Sequence, residues 1–158
     1  LTVKETESVT FTWEANDDES GIAKTSATFD GKVYKQGTAI ALAGKLGEHH
    51  LAVKAVDKAG NEKESSYVIN VTTSVADMQL LIEGFEEEGE VTNHGAAQSL
   101  QAHLISVDKF LEKDQKEKAI HHLKKFKQLL DHHKEKKFIS NKAYNVLNAD
   151  VDYLLEKW

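Results

Sequence analysis

The apolar residues of this chain change their spacing once, near Ser74, and that change divides what the chain can fold into. Before it, they recur at every second position. Val9, Phe11, Trp13 and Ala15 alternate with Thr10, Thr12 and Glu14. A period of two puts one set of side chains on one face of a half-buried strand. Leu51, Val53 and Ala55 repeat the pattern, as do Tyr67, Ile69 and Val71. Weaker strands cover Ala23–Phe29 and Thr38–Leu42. Between them lie turn signals: Asp18-Glu19-Ser20-Gly21, Asp30-Gly31, Gly44-Lys45-Leu46-Gly47 and Ala59-Gly60-Asn61.

After Ser74 the spacing is that of helices. Ser74 and Asp77 form a capping box ahead of Val75, Met78, Leu81, Ile82 and Phe85. A second helix starts near Asn93 and turns Ala97, Leu100, Leu104, Val107 and Leu111 inward. A third runs from about Gln115 to Lys136 with Ala119, Leu123, Phe126 and Leu130 inward. A fourth starts near Ser140 and carries Tyr144, Leu147, Val151, Leu154 and Trp158 along one seam. Trp158 is therefore expected to pack rather than fray. Short connections imply antiparallel neighbours. The fold class is multidomain β + α. Residues 1–73 form a small antiparallel immunoglobulin-like β-sandwich, short of one edge strand, and residues 74–158 an antiparallel three- to four-helix bundle. The junction Thr72-Thr73-Ser74 has neither Pro nor Gly, so a nearly fixed angle between the domains is expected.

Composition narrows the chemistry. Hydrophobic residues make up 40%, enough for packed cores. The net charge of −6 argues against a general nucleic-acid binder, which needs a basic surface. Every basic residue is Lys, so bidentate guanidinium clamps are unavailable. The absence of Cys removes disulfides and thiolate chemistry. No apolar run approaches the ~20 residues of a membrane span. No Gly-rich phosphate loop, nucleophile elbow or metalloprotease helix is present. The chain reads as a piece of a longer protein, so a missing targeting signal carries no information.

Two resemblances follow from particular residues. The first half resembles a bacterial immunoglobulin-like module of the OmpL47-like type. It does so through Ser20-Gly21-Ile22, Asp30-Gly31-Lys32-Val33-Tyr34, Gly37–Leu42, Gly47–Leu51 and above all Ala55-Val56-Asp57-Lys58-Ala59-Gly60-Asn61. The second half resembles the FIMAH domain, through Gly89–Gly95, Ser99–Leu104, Ala119–Phe126 and Ile139–Leu154. The resemblance implies a secreted bacterial parent, a hydrolase, protease or polysaccharide lyase. This region would then be its non-catalytic C-terminal accessory part, a spacer, stabiliser or targeting module. It implies an extracellular location, at the cell surface in one variant. The expected partner is the parent's catalytic domain, with the chain a monomer and neither nucleic acid nor membrane engaged. The alternative is an adhesion module for cell-wall polymer, polysaccharide or host protein.

Three groups of residues invite a site. Asp17, Asp18, Asp57 and Asn61 fall in loops that leave a sandwich at the same end, with Glu19 beside them. Hard oxygens gathered there suit calcium, the one candidate cofactor; the plainer reading is that they cap turns. The third helix carries eight lysines between Lys116 and Lys137, with Lys124, Lys125 and Lys127 the centre of a possible polyanion face. The plainer reading is a solvated face, partly neutralised by Glu83, Glu86, Glu87 and Glu88 of the first helix. The eight histidines are expected to be solvated: His121 and His132 lie about 16 Å apart along a helix, too far to share a metal. Among aromatics, Trp13 is expected in the core and Tyr34 at the surface.

Overall fold

The computed structural model describes residues 1–158 and divides into two compact units, Leu1–Thr72 and Thr73–Trp158. The first is built of sheets and the second of helices.

In the first unit, β1 (Thr2–Lys4), β7 (Glu62–Thr72), β6 (Gly47–Asp57), β3 (Ile22–Phe29) and β4 (Lys32–Tyr34) form one sheet in that order. β2 (Ser8–Thr10) and β5 (Ala39–Ala41) form a second. The expectation of a purely antiparallel sandwich is corrected at one edge. β1 runs parallel to β7, with Thr2 opposite Asn70 and Lys4 opposite Thr72. The β3–β4 hairpin turns through Asp30 and Gly31, both at positive φ (49° and 75°). That pair of left-handed residues matches the twist of the flanking strands. The core consists of Ala27, Tyr34, Leu42, Leu51, Ile69 and Val71.

The predicted strand Val9–Ala15 is shorter as a paired strand. Its side chains alternate between half-buried and exposed through Ala15, but pairing stops at Thr10. Trp13 is accordingly half-buried, packed against the core and not enclosed by it. Tyr67 stands in register with Ile69 and Val71, yet is 55% exposed, and with Trp13 it lines an open cavity.

The second unit follows the sequence pattern closely. α1 spans Val75–Glu87, α2 His94–Glu112, α3 Lys116–Glu135 and α4 Asn141–Lys157. Ser74, Asn93 and Ser140 cap α1, α2 and α4 by accepting the N–H of Asp77, Ala96 and Ala143. These bonds satisfy donors that a helix start leaves open. Gly89, at φ 77°, follows the end of α1. Sequential helices pack together and α4 returns to α1. Met78, Ile82, Leu100, Leu104, Leu123, Phe126, Leu130 and Leu147 are fully buried between them. Trp158 is partly buried against this core, so it packs without being enclosed. No helix is long and apolar enough to cross a membrane.

Candidate functional site

The loops of the first unit bring Asp17, Asp57 and Asn61 to one cavity of about 400 Å³, which Trp13 and Tyr67 also line. Asp18 is exposed and does not line it. Asp17 Oδ1 accepts the Glu19 N–H at 3.0 Å, and Oδ2 accepts the Ser20 hydroxyl at 2.6 Å. Asp57 Oδ1 accepts the Asn61 backbone N–H and Oδ2 the Asn61 amide, both at 2.8 Å. Each carboxylate thus closes its own turn. The Ser20 hydroxyl holds the Asp17 carboxyl below the usual carboxylate range, and the Asn61 side chain does the same for Asp57. The Asp17 charge is near enough to Asp57 to oppose that shift. The remaining lone pairs are what this pole can offer a cation.

A second cavity, about 590 Å³, adjoins the first through Trp13, Val53 and Tyr67 and extends past Phe11, Leu51 and Ile69. The Trp13 indole Nε1 is buried without a hydrogen-bond partner. Tyr34 is not the exposed aromatic expected from the sequence. It is 7% exposed, and its hydroxyl accepts the Phe11 N–H at 3.0 Å and donates to the Thr38 carbonyl at 2.5 Å. Tyr67 takes the exposed place instead.

On the helical unit, Lys124 and Lys125 of the possible polyanion face are exposed. Lys127 is not free: its ammonium meets Asp152 Oδ1 of α4 at 2.5 Å. The acidic α1 does not neutralise α3 as expected. Its Glu86 pairs with His94, and Glu88, just beyond its end, pairs with Lys142 of α4. Lys134 lies over the Tyr144 ring at 3.9 Å.

The histidines divide. His121 and His132 are exposed, as expected. His133 is 8% exposed, and its Nε2 lies 2.9 Å from Ser99 Oγ. His122 is half-buried beside Phe110 and His103, its Nδ1 without a partner. Burial lowers the His103 pKa, helped by His122 and Lys125. The signal for His133 was present: positions 126, 130 and 133 continue the inward spacing of α3. The same holds for Asp150, fully buried on α4 in the series 143, 147, 150, 154.

Among known families, the model of the FIMAH domain matches residues 75–156, just over half of the chain and nearly all of its helical unit. No curated protein matches the chain.

Proposed function

We propose, from the premise that the chain belongs to the FIMAH domain family, that it is a non-catalytic accessory region of a larger secreted bacterial enzyme. The parent would be a hydrolase, protease or polysaccharide lyase, and these residues its spacer, stabiliser or targeting module. The first unit is read as an immunoglobulin-like sandwich with one strand missing; the β1-β7-β6-β3-β4 sheet beside β2-β5 supports that reading. The observation that carries the proposal is how the polar side chains are used. Asp17 and Asp57 bind their own turns, Asp30 ties the β3–β4 turn to His49 and His50 of β6, and Ser74, Asn93 and Ser140 cap helices. They hold structure together rather than converging as acid, base and nucleophile around a reacting atom.

The test compares the parent enzyme with and without residues 1–158. Deletion is expected to leave kcat on a small soluble substrate unchanged and to alter secretion, surface retention or heat stability. Turnover by the isolated chain, abolished by one point substitution, would overturn the proposal.

A second reading, a binding module for cell-wall polymer, polysaccharide or host protein, draws support from Lys124 and Lys125, exposed on α3. Retention on a dextran sulfate column, weakened by salt and by Lys124→Glu with Lys125→Glu, is the outcome it requires.

A further inference from the structure

Lys124, Lys125 and Lys127 do not share one face of α3. Neighbouring residues of a helix diverge by about 100°, and Lys127 is drawn to Asp152 of α4. A tighter cationic grouping lies where α3 meets α2. Lys118, His122 and Lys125 recur at spacings of four and three, so they form one stripe of α3 that rises about 10 Å, with His121 beside it. His103 and Phe110 of α2 stand against this stripe. The His122 ring centre lies 5.9 Å from that of His103, 6.0 Å from that of His121 and 5.1 Å from that of Phe110. Lys118 Nζ lies 5.6 Å from the centre of the Phe110 ring.

Lys118, His121 and Lys125 are exposed, and His103 and His122 are half-buried. None of the chain's ion pairs includes any of these five residues. The charges that bear on His103 are those of His122 and Lys125 on α3, both of the same sign, and no carboxylate is among them. The other flank of α2 faces α1 through Gln101, which bonds the Gln79 carbonyl. His122 Nδ1 is buried without a partner, so the proton of its neutral ring belongs on Nε2, which is left to donate. Like charges gathered in this way oppose one another, and an anion laid against them removes that cost.

Taking the chain as the polymer-binding module of the second reading, we infer that the α2–α3 stripe binds an extended polymer of phosphate or sulfate esters, and binds it more tightly in acid. Ammonium and imidazole are point donors, not planar forks. They suit the tetrahedral oxygens of an ester anion better than a flat carboxylate. Donors repeated every 5–6 Å or so along α3 suit a chain whose charge repeats, whereas one small anion reaches only part of them. The acid dependence comes from His103. An anion favours its protonated ring, and by reciprocity the protonated ring favours the anion. One proton taken up on binding strengthens it by at most about tenfold for each unit that the pH falls.

The experiment is calorimetric titration of the full chain at constant ionic strength, at pH 5 and at pH 7.5. Its probes are inorganic polyphosphate, dextran sulfate and polygalacturonate. One or both ester polymers should bind about tenfold more tightly at pH 5, and polygalacturonate should bind less tightly than they do. Preference for polyphosphate would identify a phosphate polymer as the source, and preference for dextran sulfate a sulfated glycan; either supports the assignment. His103→Gln should remove most of the pH difference, while His50→Gln, at an exposed histidine of β6, should leave it intact. Lys118→Gln and Lys125→Gln should weaken binding at both pH values, with melting temperatures at pH 7.5 showing that each variant is folded. Equal affinity at the two pH values, with binding still weakened by Lys124→Glu and Lys125→Glu together, would overturn the α2–α3 site and leave the polymer-binding reading standing. A pH difference that survives His103→Gln would overturn the site too, as would polygalacturonate bound as tightly as the ester polymers. No binding of any probe would overturn both.

Discussion

Ser99 Oγ and His133 Nε2 meet at 2.9 Å between α2 and α3, and the one hydroxyl proton of Ser99 is committed to the Ala96 carbonyl at 2.8 Å. His133 must therefore donate from Nε2, which leaves Nδ1 as the bare nitrogen of a neutral ring. Nδ1 is buried with no partner, so a second proton there would be a buried N–H without an acceptor.

Acid sensitivity follows from that arrangement. Burial, with His132 adding to it, holds the His133 pKa below its ordinary 6.5, and burial also lowers that of His103. Below 6.5 the unfolded chain takes up protons that the folded chain refuses, so stability falls with pH. The contribution is complete above about 6.5 and lost as pH drops through the lowered folded values. The melting temperature of the helical unit should be lower at pH 5 than at pH 7.5. His133→Phe should flatten this slope without abolishing it, since His103 remains. A melting temperature that is level or higher at pH 5 would refute the account.

The cap of α1 is open to a single substitution. Ser74 Oγ accepts the Asp77 N–H at 3.1 Å and donates to Asp77 Oδ2 at 2.7 Å, and Asp77 is 2% exposed. Ser74→Ala removes both contacts at a largely buried carboxylate. The helical unit should lose about 1–2 kcal/mol, read from denaturant midpoints. Ser74→Asn, which restores an acceptor, should recover much of the loss.

The helical unit was legible because its signals are local. Capping by Ser74, Asn93 and Ser140 and the three-four spacing of Leu100, Leu104 and Val107 act within a turn or two of chain. The β unit was less legible because alternation fixes which side a residue faces, not what covers that side. Tyr34 and Tyr67 exchanged their expected environments for this reason. The 34–38 loop reaches back over Phe11 and encloses Tyr34, while Tyr67 lines an open cavity and stays 55% exposed. The parallel pairing of β1 with β7 spans nearly the whole unit and leaves no mark in the spacing of either strand. At the acidic pole the shared location of Asp17, Asp57 and Asn61 was readable from loop order. The capture of each carboxylate by its own turn was a matter of geometry.

That capture decides between two outcomes for Asp57. Both of its oxygens already receive N–H groups of Asn61. Asp57→Ala should lower the melting temperature of the β unit by the same amount in calcium and in chelator, because the turn is lost in both. A calcium site would give a different result. Added calcium would raise the melting temperature of the unaltered chain, and Asp57→Ala would erase the rise.

The Tyr34 hydroxyl ties two segments of the β unit together, and its removal should be felt well beyond one hydrogen bond. It accepts from the Phe11 N–H at 3.0 Å and donates to the Thr38 carbonyl at 2.5 Å, while the ring packs edge-on against Phe11 at 5.9 Å. Tyr34→Phe preserves the ring contact and removes both hydrogen bonds. A main-chain donor and an acceptor in a largely covered place lose their partner, at a cost of about 1–3 kcal/mol. Tyr34→Leu adds the loss of ring packing against Phe11 and Trp13, whose centroid lies 6.2 Å away, and should cost more. Denaturant unfolding followed by Trp13 fluorescence reads both variants, with Trp158→Phe as the background that leaves one emitter. Amide exchange gives an independent check, since the Phe11 N–H should exchange faster in Tyr34→Phe while the β6–β7 ladder stays protected. Unchanged stability and unchanged Phe11 exchange would mean that the hydroxyl is incidental.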